Sequence, residues 1–358
     1  MRTNICTTAA AACVVTLSGA GGASDSASTA TGISRFFNPA ISSNGLFIAA
    51  YDSEDGDVEG ERDEHTHGPE SDTGMRVQEL ELQLSAFVDP YLKADLIFAV
   101  PGGEGFELEE GYLTSQGLPV TLKMGRFLAE FGRHNLLHAH QFPFLDAPLV
   151  HDRLLGHAGL VDTGISGSLL LPLPWFAEVS AQVLNGDGEL FASHHGEDLL
   201  YLGHLKHFLD LSDVSTLELG ASAVTGANAA DELTSIFGGD LTFKWRAART
   251  RNRSLVWQSE YIYARHNTGG ARRKEGGLYT LAQFQFAPRW WIQGRYDLFG
   301  VPEEDERESR ISGLLAFVAS EFSAVRLQYA LVDEEGESVH QVLAQLNFTI
   351  GAHPAHRY

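Results

Sequence analysis

The sequence predicts an all-β fold: a transmembrane antiparallel β-barrel of about sixteen strands. Three observations carry that expectation. Short segments alternate apolar and polar residues, as in Glu79-Leu80-Glu81-Leu82-Gln83-Leu84-Ser85-Ala86 and Val325-Arg326-Leu327-Gln328-Tyr329. A period of two gives each strand one oily face and one wet face. The gaps between segments run long, then short, then long, which matches external loops and tight periplasmic turns. Hydrophobic residues make up 44% of the chain, yet none of its apolar runs reaches the roughly 18 residues that a spanning helix needs.

Taken in order, residues 1–23 read as a secretory signal peptide: Arg2 is the charged start, Ile5 to Leu17 the apolar stretch, and Ala20-Gly21-Gly22-Ala23 the small-residue cleavage region. Residues 24–44 read as a periplasmic lead-in and 45–350 as the barrel, opening with a strand at 45–53. The acidic tract 54–74 cannot bury itself and reads as a solvated loop. Strands are then expected near 75–88, 91–100, 106–115, 119–127, 162–171, 175–184, 198–208, 215–225, 235–246, 254–265, 276–287, 289–299, 309–319, 322–332 and 338–350. Asp89-Pro90, Pro172-Leu173-Pro174, Pro288 and Ser320-Glu321 mark tight turns, and proline at strand ends is where ladders tolerate it. The stretch 128–161 is the longest irregular gap after the acidic tract, and 351–358 is a C-terminal tail. Trp175, Phe176, Trp290 and Trp291 open strands and Trp245, Tyr261, Tyr263, Tyr296 and Phe299 lie near strand ends, the places of interfacial aromatic girdles.

The formal net charge is −22, from 47 acidic and 25 basic residues. That excludes nucleic acid as a partner, which wants basic patches, and favours cations. Both cysteines, Cys6 and Cys13, fall in the signal segment, so the mature chain would hold neither a disulfide nor a cysteine-based zinc site. Ser166, Ser168, Ser222 and Ser312 sit in no recognisable nucleophile motif; no catalytic residue is expected, and the chain is read as a transport protein rather than an enzyme. The end of the last strand, Val342 to Ile350, alternates towards Phe348 as an outer-membrane assembly signal does, which brings in the barrel-assembly machinery.

Several motifs resemble the phosphate-selective porins of the O and P type: Phe37-Asn38-Pro39-Ala40, Gln78-Glu79-Leu80-Glu81-Leu82, Glu109-Glu110-Gly111-Tyr112, Leu122-Lys123-Met124-Gly125-Arg126-Phe127, and Phe131-Gly132-Arg133-His134-Asn135. The resemblance implies a sixteen-stranded barrel, a homotrimer, and a third external loop folded into the lumen; that loop would be 128–161. The chain departs from the family's basic ladder. Glu79, Glu81, Asp95 and Asp297 are expected on the lumenal face against Lys93, Lys123, Arg126 and Arg295, so phosphate selectivity is not carried over. The histidine-rich pattern also resembles outer-membrane proteins labelled zinc-regulated, TonB-dependent receptors. Such a receptor needs a plug and roughly 22 strands, more than this chain supplies.

Arg133, His134, His138, His140, Asp146, His151, Asp152 and Arg153 are the expected constriction residues. His134 and His138 are four apart, the spacing of one helical face; His138 and His140 are two apart, the spacing of one extended face. With His65 and His67 of the acidic tract they are the candidate metal ligands, and zinc is the candidate ion, since imidazole suits zinc, copper or nickel. Two readings follow. One is a bacterial outer-membrane porin, cation-preferring, passing small solutes across the envelope lipid. The other is an outer-membrane protein that binds or takes up transition metal.

Overall fold

The computed structural model describes residues 39–53, 73–187, 190–191, 198–248, 252–268, 271–302, 307–334 and 337–351. The predicted signal segment, the acidic tract with His65 and His67, and the tail beyond Gly351 lie outside them. Sixteen strands run β1 (Ala40–Asp52), β2 (Gly74–Asp89), β3 (Leu92–Pro101), β4 (Glu107–Ser115), β5 (Val120–Leu128), β6 (Val161–Leu170), β7 (Phe176–Leu184) and β8 (Leu200–Ser212), then β9 (Ser215–Ala227), β10 (Leu233–Arg246), β11 (Ser254–Thr268), β12 (Ala271–Ala287), β13 (Trp290–Phe299), β14 (Glu308–Ser320), β15 (Ser323–Glu334) and β16 (Glu337–Gly351). The first strand begins at Ala40, five residues inside the stretch read as a lead-in.

Each strand pairs antiparallel with its sequence neighbours, and β1 closes on β16 from Ser42 opposite Gly351 to Asp52 opposite Gln341. Closure is what lipid demands: hydrocarbon offers the backbone no hydrogen-bond partner, so a spanning sheet can have no open edge. Among the described residues no helix is long and apolar enough to cross a membrane.

Alternation sorts the side chains. On β13, Gln293, Arg295, Asp297 and Phe299 are buried inside while Trp290, Ile292, Gly294 and Tyr296 are exposed outside. On β14 and β15, Arg310, Ser312, Arg326 and Gln328 face in, while Ile311, Leu315, Leu327 and Tyr329 face out. Trp175, Phe176, Phe286, Trp290 and Phe322 ring the end that carries the tight turns, and Tyr51, Tyr201, Phe237, Tyr261 and Tyr296 stand towards the end that carries the long loops. Trp291 and Phe299, expected in the girdles, face inward instead and pack on the buried core, because each is an odd-numbered residue of β13 beside Gln293 and Asp297.

Local chemistry makes the turns. Asp89 accepts the N–H groups of Tyr91 (2.7 Å) and Leu92 (2.8 Å) through Oδ1, so a carboxylate closes the β2–β3 hairpin while Pro90 fixes its backbone. Leu315 and Leu327 stand directly opposite each other on the lipid face. Leu327→Arg should therefore destabilise the barrel by about 2–4 kcal/mol if that point lies at the bilayer midplane. Urea titration of vesicle-folded protein checks this; a change within error would remove Leu327 from the lipid face.

The hydrophobic core is inside the barrel. Residues 129–160, between β5 and β6, turn inward and carry the short helix α1 (Leu149–Leu155). Phe131, Phe144, Leu149, Val150 and Leu154 of this segment pack on wall residues Leu200, Val224, Ile236, Ile262, Leu281 and Leu314.

Candidate functional site

Two bulges prepare the wall for the inward loop. On β2 the register steps between Leu46 opposite Glu79 and Phe47 opposite Val77, so Gln78 is an extra residue. On β4 it steps between Ile97 opposite Glu110 and Phe98 opposite Leu108, so Glu109 is extra. A bulge re-aims side chains, and here both put neighbouring polar residues on the lumenal side. Gln78 reaches the carbonyl of Leu145 through Nε2 (3.0 Å). Glu109 and Glu110 both meet His138.

From there the loop is tied around the wall. Gly132 N–H donates to Ser222 Oγ on β9 (2.8 Å) and Leu145 N–H to Gln328 Oε1 on β15 (2.9 Å). Arg133 pairs with Glu218 on β9 (3.0 Å), and Asn347 on β16 donates to the His140 carbonyl (3.1 Å). Arg326 on β15 holds the Phe142 carbonyl (2.6 Å). Arg153 pairs with Glu308 on β14 (2.9 Å), near the exposed His157–Asp152 contact (3.3 Å).

The densest tie is at Asp146. Its Oδ2 sits 2.9 Å from Arg295 Nη2 and 2.6 Å from Arg310 Nη1, and its Oδ1 accepts from Gln328 Nε2 (2.8 Å). Arg295 also donates to the Asp146 carbonyl (2.9 Å) and lies over the Phe144 ring at 4.6 Å. Asp297 faces both guanidiniums, at 2.7 Å from Arg295 and 3.3 Å from Arg310, and accepts the Leu149 N–H (3.3 Å). Burial alone would raise the Asp146 carboxyl, but Arg295, Arg310 and the Gln328 amide together hold it below its ordinary value of 3.8.

The histidines fall into two separate groups. His134 lies against Phe142 (ring centroids 4.4 Å apart) and His151 (4.7 Å). There Glu260 accepts the His134 N–H (3.3 Å) and the Tyr279 hydroxyl (3.0 Å) and stands 3.2 Å from His151 Nε2. Burial first, then the charges of His151, Arg295 and Arg133, push His134 well below its ordinary value, so this imidazole is neutral. His138 and His140 form the other group, stacked at 5.9 Å with an interplanar angle of 8°. The expected helical face uniting His134 with His138 does not form: the turn His134–Leu136 ends at Leu137, whose backbone is extended. Burial works against charging His138, but its contacts with Glu109, Glu110 and Glu81 prevail and raise it well above the ordinary value.

Of the expected lumenal residues, Glu79 and Glu81 lie on the inner face of β2, and Lys93 and Asp95 form an ion pair on β3 at 2.8 Å. Lys123 lies over the Tyr112 ring at 4.2 Å. Arg295 and Asp297 sit under the loop. Arg126 is a correction: it shares the β5 face of the exposed Leu122 and Met124, because it lies three positions on from inward Lys123. Ser222, screened as a nucleophile, is 2.8 Å from His204 Nδ1, but its hydroxyl oxygen already accepts the Gly132 N–H. Sequence reading gave no role in the site to Arg310, Gln328 or Ser222. The available signal was strand parity, which puts Arg310 and Gln328 on the same inner wall as Arg295.

Gly132 has φ +59°, and a Cβ there would collide with the Glu260 carboxylate. Gly132→Val should strain the backbone by about 1–3 kcal/mol and unseat the loop start. Limited proteolysis of the folded barrel should then cut within 129–160; protection equal to wild type would rule this out.

No family model matches the chain. An uncharacterized protein of Aquifex aeolicus (strain VF5) is 31% identical over 350 residues, covering 82% of this chain and 72% of that protein. The anion-selective porin from Comamonas acidovorans superimposes with a TM-score of 0.62 at 13% identity, covering 87% of this chain and 100% of the porin. The trimer form of in-vitro folded OmpT, an outer membrane protein of Vibrio cholerae, gives 0.58 at 8% identity, covering 87% of this chain and 100% of that one. At these identities the likeness is one of fold, a porin barrel.

Proposed function

The chain belongs to the same family as the Aquifex aeolicus protein, and we propose that it is an outer-membrane channel for passive diffusion of small solutes and ions. The observation that carries this reading is the segment 129–160, which enters a closed sixteen-strand barrel and is fastened there as a constriction. A wall that binds its own loop so firmly sets a fixed passage.

Cation preference is the finer part of the reading. It is supported by the net charge of −22 and by where the arginines are. Arg295, Arg310 and Arg326 stand on three successive strands, as a basic ladder would, but each is engaged with the loop at Asp146, Ala147 or Phe142. The phosphate selectivity of the O and P type porins is therefore not part of the proposal. A homotrimer, removal of residues 1–23, and recognition of β16 by the assembly machinery complete it; the trimer form of the Vibrio cholerae barrel supports the first.

Planar-bilayer recording of the purified barrel under a salt gradient tests the reading. A current whose reversal potential moves towards the cation equilibrium supports it. A shift towards the anion equilibrium overturns the cation preference, and silence from an intact, heat-modifiable barrel overturns the channel.

A second reading, handling of transition-metal ions, is favoured by the meeting of His138 with lumenal carboxylates. Sixteen strands do not match the roughly 22 of a TonB-dependent receptor, so energy-coupled uptake is not proposed.

A further inference from the structure

The β4 bulge gives His138 an arrangement that differs from the other ties of the loop. Glu110 Oε1 lies 3.0 Å from His138 Nε2, in hydrogen-bonding geometry. Nδ1 lies 3.0 Å from Glu109 Oε1 and 3.7 Å from Glu81 Oε2, yet this nitrogen, fully shielded from solvent, forms no hydrogen bond with either. The side chain is 9% exposed, so water does not surround it. His140 Nδ1 stands 3.0 Å from the same Glu81 oxygen. Glu79 is within electrostatic reach of both Glu81 and Glu109.

We propose that Glu81, Glu109 and His138 are the ligands of a divalent transition-metal site that joins the inward loop to β2 and β4, with Glu110 orienting the histidine. With Nε2–H donated to Glu110, His138 turns Nδ1 towards two carboxylate oxygens. A proton on Nδ1 supplies one positive charge there but points at neither oxygen well. A divalent ion that displaces that proton accepts from all three.

One ligand atom from each residue already lies within 4.8 Å of the other two. Zinc bonds of about 2.0–2.2 Å place ligand atoms roughly 3.3–3.6 Å apart in a tetrahedron, so closure needs a shift of about an ångström. A carboxylate behind a ligating imidazole is the usual outer-shell arrangement, and it fixes the tautomer. A nitrogen ligand selects a transition ion over calcium, which takes oxygens. His140, beside Glu81, is placed to complete the set. The proposal needs the fold and the loop's position but no current, so it and the channel reading fail independently.

The test uses the purified, folded full barrel stripped of metal, with zinc alone as probe in calorimetry and cobalt(II) as a spectroscopic substitute. Expected are one zinc per chain, a cobalt spectrum of mixed nitrogen and oxygen ligation, and no competition from calcium. Glu110→Gln should weaken binding about 10–100-fold, with larger losses for His138→Ala and Glu109→Gln, while His207→Ala, at the exposed Trp175 contact, leaves it unchanged. Heat-modifiable migration confirms that each variant folds. In the wild type, which avoids any folding defect, zinc should slow proteolysis within 129–160. Absence of stoichiometric zinc binding, or binding that survives both His138→Ala and Glu109→Gln, overturns the proposal.

Discussion

Asp146→Ala should open the passage while leaving the barrel folded. Asp146 is where the loop meets three successive strands, through Arg295 on β13, Arg310 on β14 and Gln328 on β15. All of these side chains are buried. Removing one partner of a buried ionic network leaves the other charges uncompensated and costs about 3–5 kcal/mol. Asp297 would still face both guanidiniums, so the loss should fall on the loop, not the wall. The wall keeps its ladder hydrogen bonds and its lipid face. Expected, therefore, are unchanged heat-modifiable migration, faster proteolysis within 129–160, and larger, noisier single-channel steps. Arg326→Ala, which removes the tie at Phe142, should move the same readouts less. If Asp146→Ala left both proteolysis and conductance as in wild type, the loop would be held by its apolar packing of Phe131, Phe144 and Val150 rather than by this network.

How much of this was legible in the sequence follows from what each feature depends on. The strands were legible because lipid outside and polar groups inside impose a strict period of two, and segments such as Val325 to Tyr329 obey it. The inward loop was legible as a long gap in a series of short ones, placed by the resemblance to porins. Its attachment to β2 and β4 was not legible, because there it depends on two one-residue register steps, at Gln78 and Glu109, that change no composition. The histidine grouping was misread for a related reason. A spacing of four means a shared face only if the turn continues, and Leu137 leaves it. Arg126 shows the opposite case: a count of three along β5 from Lys123 already places it outside, and parity alone could have settled it.

The same Asp146 network makes the loop acid-sensitive, with a definite sign. The folded-state carboxyl is held below its ordinary value of 3.8 by Arg295, Arg310 and Gln328, against the burial that would raise it. A depressed acid contributes stability that is complete above the unfolded value and is lost as pH falls through the folded one. The tie should hold from neutrality down to about pH 4, the ordinary range of an aspartate, and weaken below it. Protonated Asp146 would leave Asp297, the other carboxylate at these guanidiniums, to face both alone. Cleavage within 129–160 by an acid-active protease, followed at stepped pH, should rise only below that range. Asp146→Asn should already be open at neutral pH and show a flat profile. Cleavage is the better readout than current here, because protonating other lumenal carboxylates alters ion flow without moving the loop. A transition above pH 6.5, the ordinary histidine value from which its carboxylate contacts raise His138, would transfer the hold from Asp146 to His138 and sink this assignment.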